Sequence, residues 1–422
     1  MKNKSLLAIS IALASQTSFG AGFYLKEQSI VSQGAAFAGA GARTDSASSV
    51  YFNPAGTAGM ESMLEGGAHV LIPDQKVTGT AGIGALSTAA QEPLDTKLIP
   101  NFYYTRPMAG GVVGVGVSAP YGSTNEYDSN FVGALDSYYT SLKTIDLSAS
   151  FAKELSDKVR VGAALVYQTA DIEQRKLVSS VLLGNATTST ATLKGDSSTL
   201  TYTLGAQFDL DNGGIIGLSY KPAVDQKIKG TNSISQNFNL PVSGIGAIPI
   251  SAGTYNASGT LKLPNQVSAS AVLPISEQTD LLFDVTRYGW SAYNNLTVNT
   301  QWGAPLGTQP SVSAQNYKDT TSFALGMEHR YNDSLTVRAG VHFDPTPTNN
   351  TDRSFSTPDG DRTWLAVGAS KKLENGWIWD VAYTHIDVDD TSLNRQVATG
   401  VFARAEAESS FNILSIGVRI PF

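Results

Sequence analysis

The residues best suited to metal ligation or nucleophilic catalysis are few: His69, His329, His342 and His385, with no cysteine. None of these histidines stands in a His-Glu-x-x-His arrangement. His342 lies two residues before Asp344, but no serine motif marks a nucleophile beside them. The pattern argues against an enzyme and calls for neither metal nor cofactor; a structural histidine is the simpler reading of each. The more suggestive groups are apolar. Residues 235–252 carry Phe238, Leu240, Pro241, Val242, Ile245, Ile248, Pro249 and Ile250, and residues 131–142 carry Phe131, Val132, Leu135, Tyr138, Tyr139 and Leu142. Apolar clusters exposed on a surface mark binding sites. These two stretches either line an entry groove for a hydrophobic molecule or pack one loop on another.

What positions them is a set of strands. Residues 1–20 read as a secretory leader: Lys2 and Lys4, an apolar run from Leu6 to Ala14, then Ser18-Phe19-Gly20 before Ala21. Losing the two lysines takes the formal charge from −7 to −9. Such acidity argues against nucleic acid as a partner, since that needs a basic face. Beyond residue 64 a period of two recurs. Leu414, Ile416, Val418, Ile420 and Phe422 share one face against Ser415, Gly417 and Arg419. Val159, Val161, Ala163, Leu165 and Tyr167 oppose Arg160, Gly162 and Gln168, and Leu335, Val337, Ala339, Val341 and Phe343 oppose Thr336, Arg338, Gly340 and His342. This is the pattern of strands with one apolar face.

Fourteen strands are expected near 65–73, 98–105, 110–122, 143–154, 159–173, 199–209, 214–229, 259–273, 279–293, 319–331, 335–343, 362–372, 376–387 and 403–422. Short turns such as Arg106-Pro107-Met108-Ala109 and Asp211-Asn212-Gly213 alternate with long loops at 74–97, 123–142, 174–198, 230–258, 294–318, 344–361 and 388–402. A soluble sandwich has no reason to sort its connections by length. A transmembrane barrel does: short turns face the periplasm and long loops face outward. The fold expected is therefore an all-β antiparallel barrel of residues 65–422 in a bacterial outer membrane, read as a monomer. Tyr103, Tyr104, Tyr220, Trp290, Tyr293, Trp377 and Trp379 are candidates for its interfacial girdles.

Residues 21–64 do not alternate. Their Gly, Ala and Ser content suits short helices in a confined space, so they are expected to plug the lumen. Here Ala21-Gly22-Phe23, Gln28-Ser29, the Gly/Ala tract, Asp45-Ser46-Ala47-Ser48-Ser49 and Asn53-Pro54-Ala55-Gly56 resemble the hatch of the FadL/TodX-type outer-membrane transporters of fatty acids and aromatic hydrocarbons. Ile99-Pro100-Asn101, Tyr121-Gly122, Leu263-Pro264, Tyr317-Lys318-Asp319, Phe343-Asp344-Pro345-Thr346 and the run from Thr357 to Trp364 extend the likeness along the chain.

The resemblance implies capture of long-chain fatty acids between outer loops, an apolar pocket, hatch movement and sideways exit through the wall. Hydrocarbons are the alternative cargo within the family; a general porin, with an open charged lumen, is the alternative outside it. Pro120, Tyr121 and Gly122 would interrupt pairing in the third strand. Asn53, Pro54 and Ala55 would lie against that gap, with Asn53 satisfying the freed backbone. For a carboxylate, Lys318 matches a lumenal lysine of the family. The family's arginine falls on Gln174, with Arg175 one residue on, and one residue reverses the face of a strand. Expected surroundings are outer-membrane lipid, lipopolysaccharide and, during insertion, the barrel-assembly machinery.

Overall fold

In a computed structural model the alternating segments close into a barrel whose apolar face looks outward. The structure describes residues 22–179, 188–242, 246–304, 306–398 and 400–422, so the expected leader and Ile245 lie outside the described residues. Leu165, Val341, Phe343, Leu414 and Ile416 are about half exposed, whereas Gln168, Arg338, His342 and Ser415 are buried on the inner face. Outside is lipid and inside is protein, the reverse of a soluble core.

The wall comprises fourteen crossings. They are β1 (Met63–Ala81), β2 (Lys97–Met108), β3 (Gly111–Ser118, resuming at Gly122–Glu126), β4 (Tyr139–Ser156), β5 (Val159–Ser179), β6 (Thr188–Asp209) and β7 (Ile215–Lys221, resuming at Val224–Ile234). Then follow β8 (Gly253–Leu263, resuming at Gln266–Pro274), β9 (Thr279–Tyr288), β10 (Thr320–Asn332), β11 (Leu335–Asp344), β12 (Arg362–Lys372), β13 (Ile378–Ala398) and β14 (Val401–Pro421). Each pairs antiparallel with the next, and β1 pairs with β14 from Met63↔Pro421 to Ala81↔Arg404, which closes the cylinder. Closure matters because lipid supplies no hydrogen bonds to an open edge. The two-residue link between β2 and β3 puts both Ala109 and Gly110 at positive φ, 58° and 72°, a geometry that glycine accepts freely and alanine adopts only under the constraint of the hairpin.

Several boundaries differ from the sequence reading. Residues 388–402 are mostly strand, because β13 and β14 run on beyond the apolar band as one long hairpin. There the outer face is polar, so the alternation becomes small against charged: Ala403, Ala405 and Ala407 are buried while Arg404, Glu406 and Glu408 are exposed. The loop after β7 contains a hairpin, Phe238–Val242 with Gly246–Ile250, and that after β9 another, Asn295–Gln301 with Thr308–Ala314. Trp290, Tyr103 and Tyr293 are not girdle residues; all three are buried inside, whereas Trp377 and Trp379 face outward.

Residues 22–62 fill the lumen as two single-turn helices, α1 (Ile30–Gln33) and α2 (Ser49–Phe52), joined by 3₁₀ turns. Small residues allow the fit. A Cβ on Gly34 would stand 2.9 Å from the Gly368 Cα in β12, so backbone touches backbone there. The lower hatch is also held by charge. Arg43 bridges Asp45 (2.9 Å) and Glu328 (3.0 Å), Arg338 reaches Glu328 (2.6 Å), and Arg419 joins Asp45 (3.2 Å) to Asp380 (2.8 Å). Buried pairs of this kind add little net stability against an apolar replacement, but removing one partner leaves its mate uncompensated.

The Gly34–Gly368 contact gives a direct test. Gly368→Val should leave a folded, heat-modifiable barrel on electrophoresis while exposing residues 22–62 to protease added from the periplasmic side. Unchanged protection would mean the contact does not seat the hatch.

Candidate functional site

The site begins where β3 leaves the ladder. Pairing with β2 ends at Phe102↔Val117, and pairing with β4 breaks between Ser118↔Asp146 and Gly122↔Lys143. Pro120 cannot donate a backbone hydrogen bond, and Ala119-Pro120-Tyr121 turns away. The orphaned groups find partners in the hatch. Ala119 N–H donates to Gln28 Oε1 (3.0 Å) and Gln28 Nε2 donates to Ala119 O (2.9 Å). Leu25 N–H donates to Pro120 O (2.7 Å), and Gly122 N–H to Phe23 O (3.0 Å). Residues 23–25 thus stand in for a strand along the kink, with Thr144 holding Tyr121 on the other side.

Asn53 does not have the role expected of it. Its Nδ2 donates to Gly41 O (2.7 Å), Ala206 O (3.1 Å) and Leu218 O (3.3 Å), and its Oδ1 caps the turn at Ala55 N. Pro54 and Ala55 crowd Gly162 and Gly205 on β5 and β6, away from the kink. The Asn-Pro-Ala turn is an anchor to the neighbouring wall at β5, β6 and β7. Gln28 was the residue to seek: an amide offers donor and acceptor together, but no spacing in the sequence singles it out.

Above the kink lies an aromatic cage. Phe23 inserts edge-on to Trp290 (ring centroids 4.9 Å) and Tyr293 (5.4 Å), with Tyr121 at 6.1 Å and Tyr317 at 6.5 Å. Gly22 N–H donates to Asp359 (2.9 Å), itself paired with Arg362. The Trp290 Nε1 proton finds no acceptor among the described residues, an unusual state for a buried donor. Each aromatic contact of this geometry is worth about 0.5–1.5 kcal/mol.

A vestibule of about 860 Å³ opens above the cage. Leu135 and Phe238 line it, as expected of groove residues, together with Leu296, Val298 and Trp302 from the outer hairpin. Phe131 is instead fully buried, stacked on Tyr127 (5.4 Å), and Tyr138 packs on the same cluster. Ile248 is half-buried in its hairpin. A smaller pocket between Ile172, Ile228, Leu261 and Leu296 shares Leu296 and Val298 with the vestibule, and its Ile228 and Leu261 belong to the same apolar cluster as the cage.

Of the two expected cations, Lys318 is exposed beside Tyr317, its N–H bonded to Pro347 O. Arg175 turns to the face opposite Gln174, where it pairs with Glu173 (2.7 Å) and lies 4.4 Å from the Tyr139 ring. Gln174 and Lys176 line the vestibule. Lys176 has no ion pair among the described residues, and alternation from the lumenal Gln168 would have found it. Deeper in the hatch, Lys26 Nζ lies 3.1 Å from His342 Nε2, and burial lowers its pKa against the pull of Asp344, Asp284 and Glu27.

The likeness read from sequence motifs has broader support. A profile described as "Outer membrane protein transport protein (OMPP1/FadL/TodX)" matches residues 11–422. The chain belongs to the OMPP1/FadL/TodX family. A long-chain fatty acid transport protein of Escherichia coli O6:H1 is 28% identical over 413 residues, covering 91% of this chain and 90% of that one. The solved FadL homologue of Pseudomonas aeruginosa superposes with a TM-score of 0.84 at 20% identity, covering 95% and 100% of the two chains. The toluene transporter TodX of Pseudomonas putida follows at 0.65 and 16%, covering 96% and 99%. Family and lipid-facing barrel together place this FadL/TodX member in the outer membrane.

Glu27 generates a pH prediction for the hatch. Burial pushes its carboxyl from 4.5 up to about 7, against its own N–H and the charges of Arg362 and Lys26. A raised pKa means seating is favoured below about pH 4.5 and loses that contribution as pH climbs through 7, by of order 3 kcal/mol. Hydrogen-exchange protection of residues 22–30, taken relative to the base-catalysed intrinsic rate, should fall between pH 5 and 8, and Glu27→Gln should flatten that fall. An unchanged slope in the variant would remove Glu27 from the account.

Proposed function

We propose that this barrel carries amphipathic hydrophobic molecules, long-chain fatty acids first, from the outer vestibule to the kink in β3 and out sideways. The observation that carries the reading is Phe23 itself: the protein's own apolar side chain occupies an aromatic cage below the vestibule. A ligand that replaces Phe23 recovers those contacts and releases residues 23–25 from the kink in one event. An acyl chain gains about 0.8 kcal/mol per buried CH₂ on the way, whereas a water-filled porin offers it no such gain. The hatch filling the lumen also weighs against a porin.

Lys176 is the first candidate to hold a carboxylate at the vestibule by a charge-assisted hydrogen bond. Lys318, next to the cage, is the second. Arg175 on the other face would need the strand to turn or its Glu173 pair to open. The small pocket of Ile172, Ile228, Leu261 and Leu296 beside the vestibule favours a second reading, uptake of uncharged hydrocarbons, and the two are separable by experiment.

Phe23→Ala opens the cage and should tighten binding of palmitate about tenfold, read by fluorescence displacement on purified protein; no change would deny that Phe23 occupies the cargo's place. Lys176→Met should weaken palmitate by a similar factor and leave hexadecane unaffected. Equal loss of both ligands, or of neither, would remove Lys176 from head-group recognition.

A further inference from the structure

The kink in β3 is not the only interruption of the wall. Pairing between β6 and β7 runs from Ala191↔Ile234 to Asp196↔Lys229, stops, and resumes at Leu204↔Tyr220. Seven residues of β6 (197–203) and eight of β7 (221–228) face each other without a ladder. The cause is local. Pro222 has no N–H to offer, so β7 leaves the ladder at Lys221-Pro222-Ala223. Pro264 breaks β8 at the same level, so β8 follows its neighbour, holding Leu263↔Val224 and Gln266↔Lys221 on either side.

Side chains replace the missing backbone bonds. Ser197 and Thr199 donate to Gln226 Oε1 (2.7 and 3.1 Å), Gln226 Nε2 donates to Gln168 Oε1 (2.9 Å), and Gln168 Nε2 to Asp146 (2.7 Å). Neutral side-chain bonds contribute only about 0.5–1.5 kcal/mol each, and one glutamine holds both sides. A cavity crosses the wall here, bounded by Gln168 and Thr203 of the lumen, Tyr202 of the lipid face, Tyr51 of the hatch and Pro120 of the kink. At about 30 Å³ it is shut, with room for roughly one water. Leu165, Leu200 and Tyr202 beside it are exposed to lipid. At its inner mouth Lys221 Nζ sits 3.2 Å from the centre of the Tyr51 ring, and the same lysine borders the deeper cavity that holds Lys26.

We propose that the stretch between β6 and β7 is a second lateral port, latched by Gln226, which takes a long-chain carboxylate with its head group at Lys221. It rests on the hydrophobe-carrier reading above, and differs from it in the route. Both interruptions open on one side of the hatch through a shared cavity wall at Pro120-Tyr121. Movement of α2, which carries Tyr51, uncovers the new port, while movement of residues 23–25 uncovers the β3 gap. The port's polar inner lining suits a head group that the apolar cage does not.

The test uses the full chain in lipid bilayers with a diazirine-bearing palmitate, cross-linked by light and mapped by peptide mass spectrometry. Label should appear in residues 197–203 and 221–228 as well as at the cage. Gln226→Ala should raise the label in those two segments about tenfold, the factor that corresponds to about 1.4 kcal/mol. Lys221→Met should lower it for palmitate and not for a diazirine-bearing hexadecane. Label at the cage and at 119–126 alone, in wild type and Gln226→Ala alike, would overturn the port and leave the carrier reading intact. No label at the cage would overturn the carrier reading, and the port with it.

Discussion

Everything in this molecule follows from the requirement that backbone polar groups at lipid depth be paired. A cylinder meets it by closing β1 on β14 over eighteen paired residues. The functional features arise where the requirement is met by other means. At the kink in β3 the hatch backbone and the Gln28 amide supply the bonds. Between β6 and β7 a relay of glutamine, serine and threonine side chains does so. A transport wall must be sealed at rest and separable on demand, and substitutes for ladder bonds are what make it separable.

The hatch is correspondingly divided. Its lower half is fixed by the Arg43–Asp45–Glu328 and Arg419–Asp380 pairs, and by Asn53 clamped among carbonyls of β6, β7 and its own chain. Its first residues rest on an aromatic cage, a few backbone bonds and a buried carboxyl that titrates close to neutrality. Motion confined to the upper part would open the route without unseating the plug, so a small-molecule pathway need never become a general leak.

The sequence made the barrel legible because alternation at lipid depth is apolar against polar, a contrast that residues 335–343 have in full and residues 159–168 in most positions. It was less legible above the membrane, where Ala403 to Glu408 alternate small with charged and read as loop. Site residues divide the same way. Pro120 and Gly122 advertise a broken strand through their backbone chemistry. Gln28 lies in a recognisable string and Lys176 keeps step with Gln168, but the partners they meet are set by the fold, as is the place of Trp290 in the cage. Asn53 shows the converse: its motif was recognisable, but which wall it meets depends on the course of the whole hatch. Arg175 and Lys176 differ in parity, and counting in twos from Gln168 puts Lys176 on the lumenal side.

Gln33 of α1 connects the hatch to three strands at once. It lies within hydrogen-bond reach of His69 on β1 and Ser415 on β14, and donates to Thr384 on β13 (3.1 Å). Ile30 beside it fills the space over Gly67 and Gly417, which face each other across the β1–β14 seam. The seam that closes the cylinder is therefore also the place where the plug is tied to it, one amide reaching the first strand and the last two.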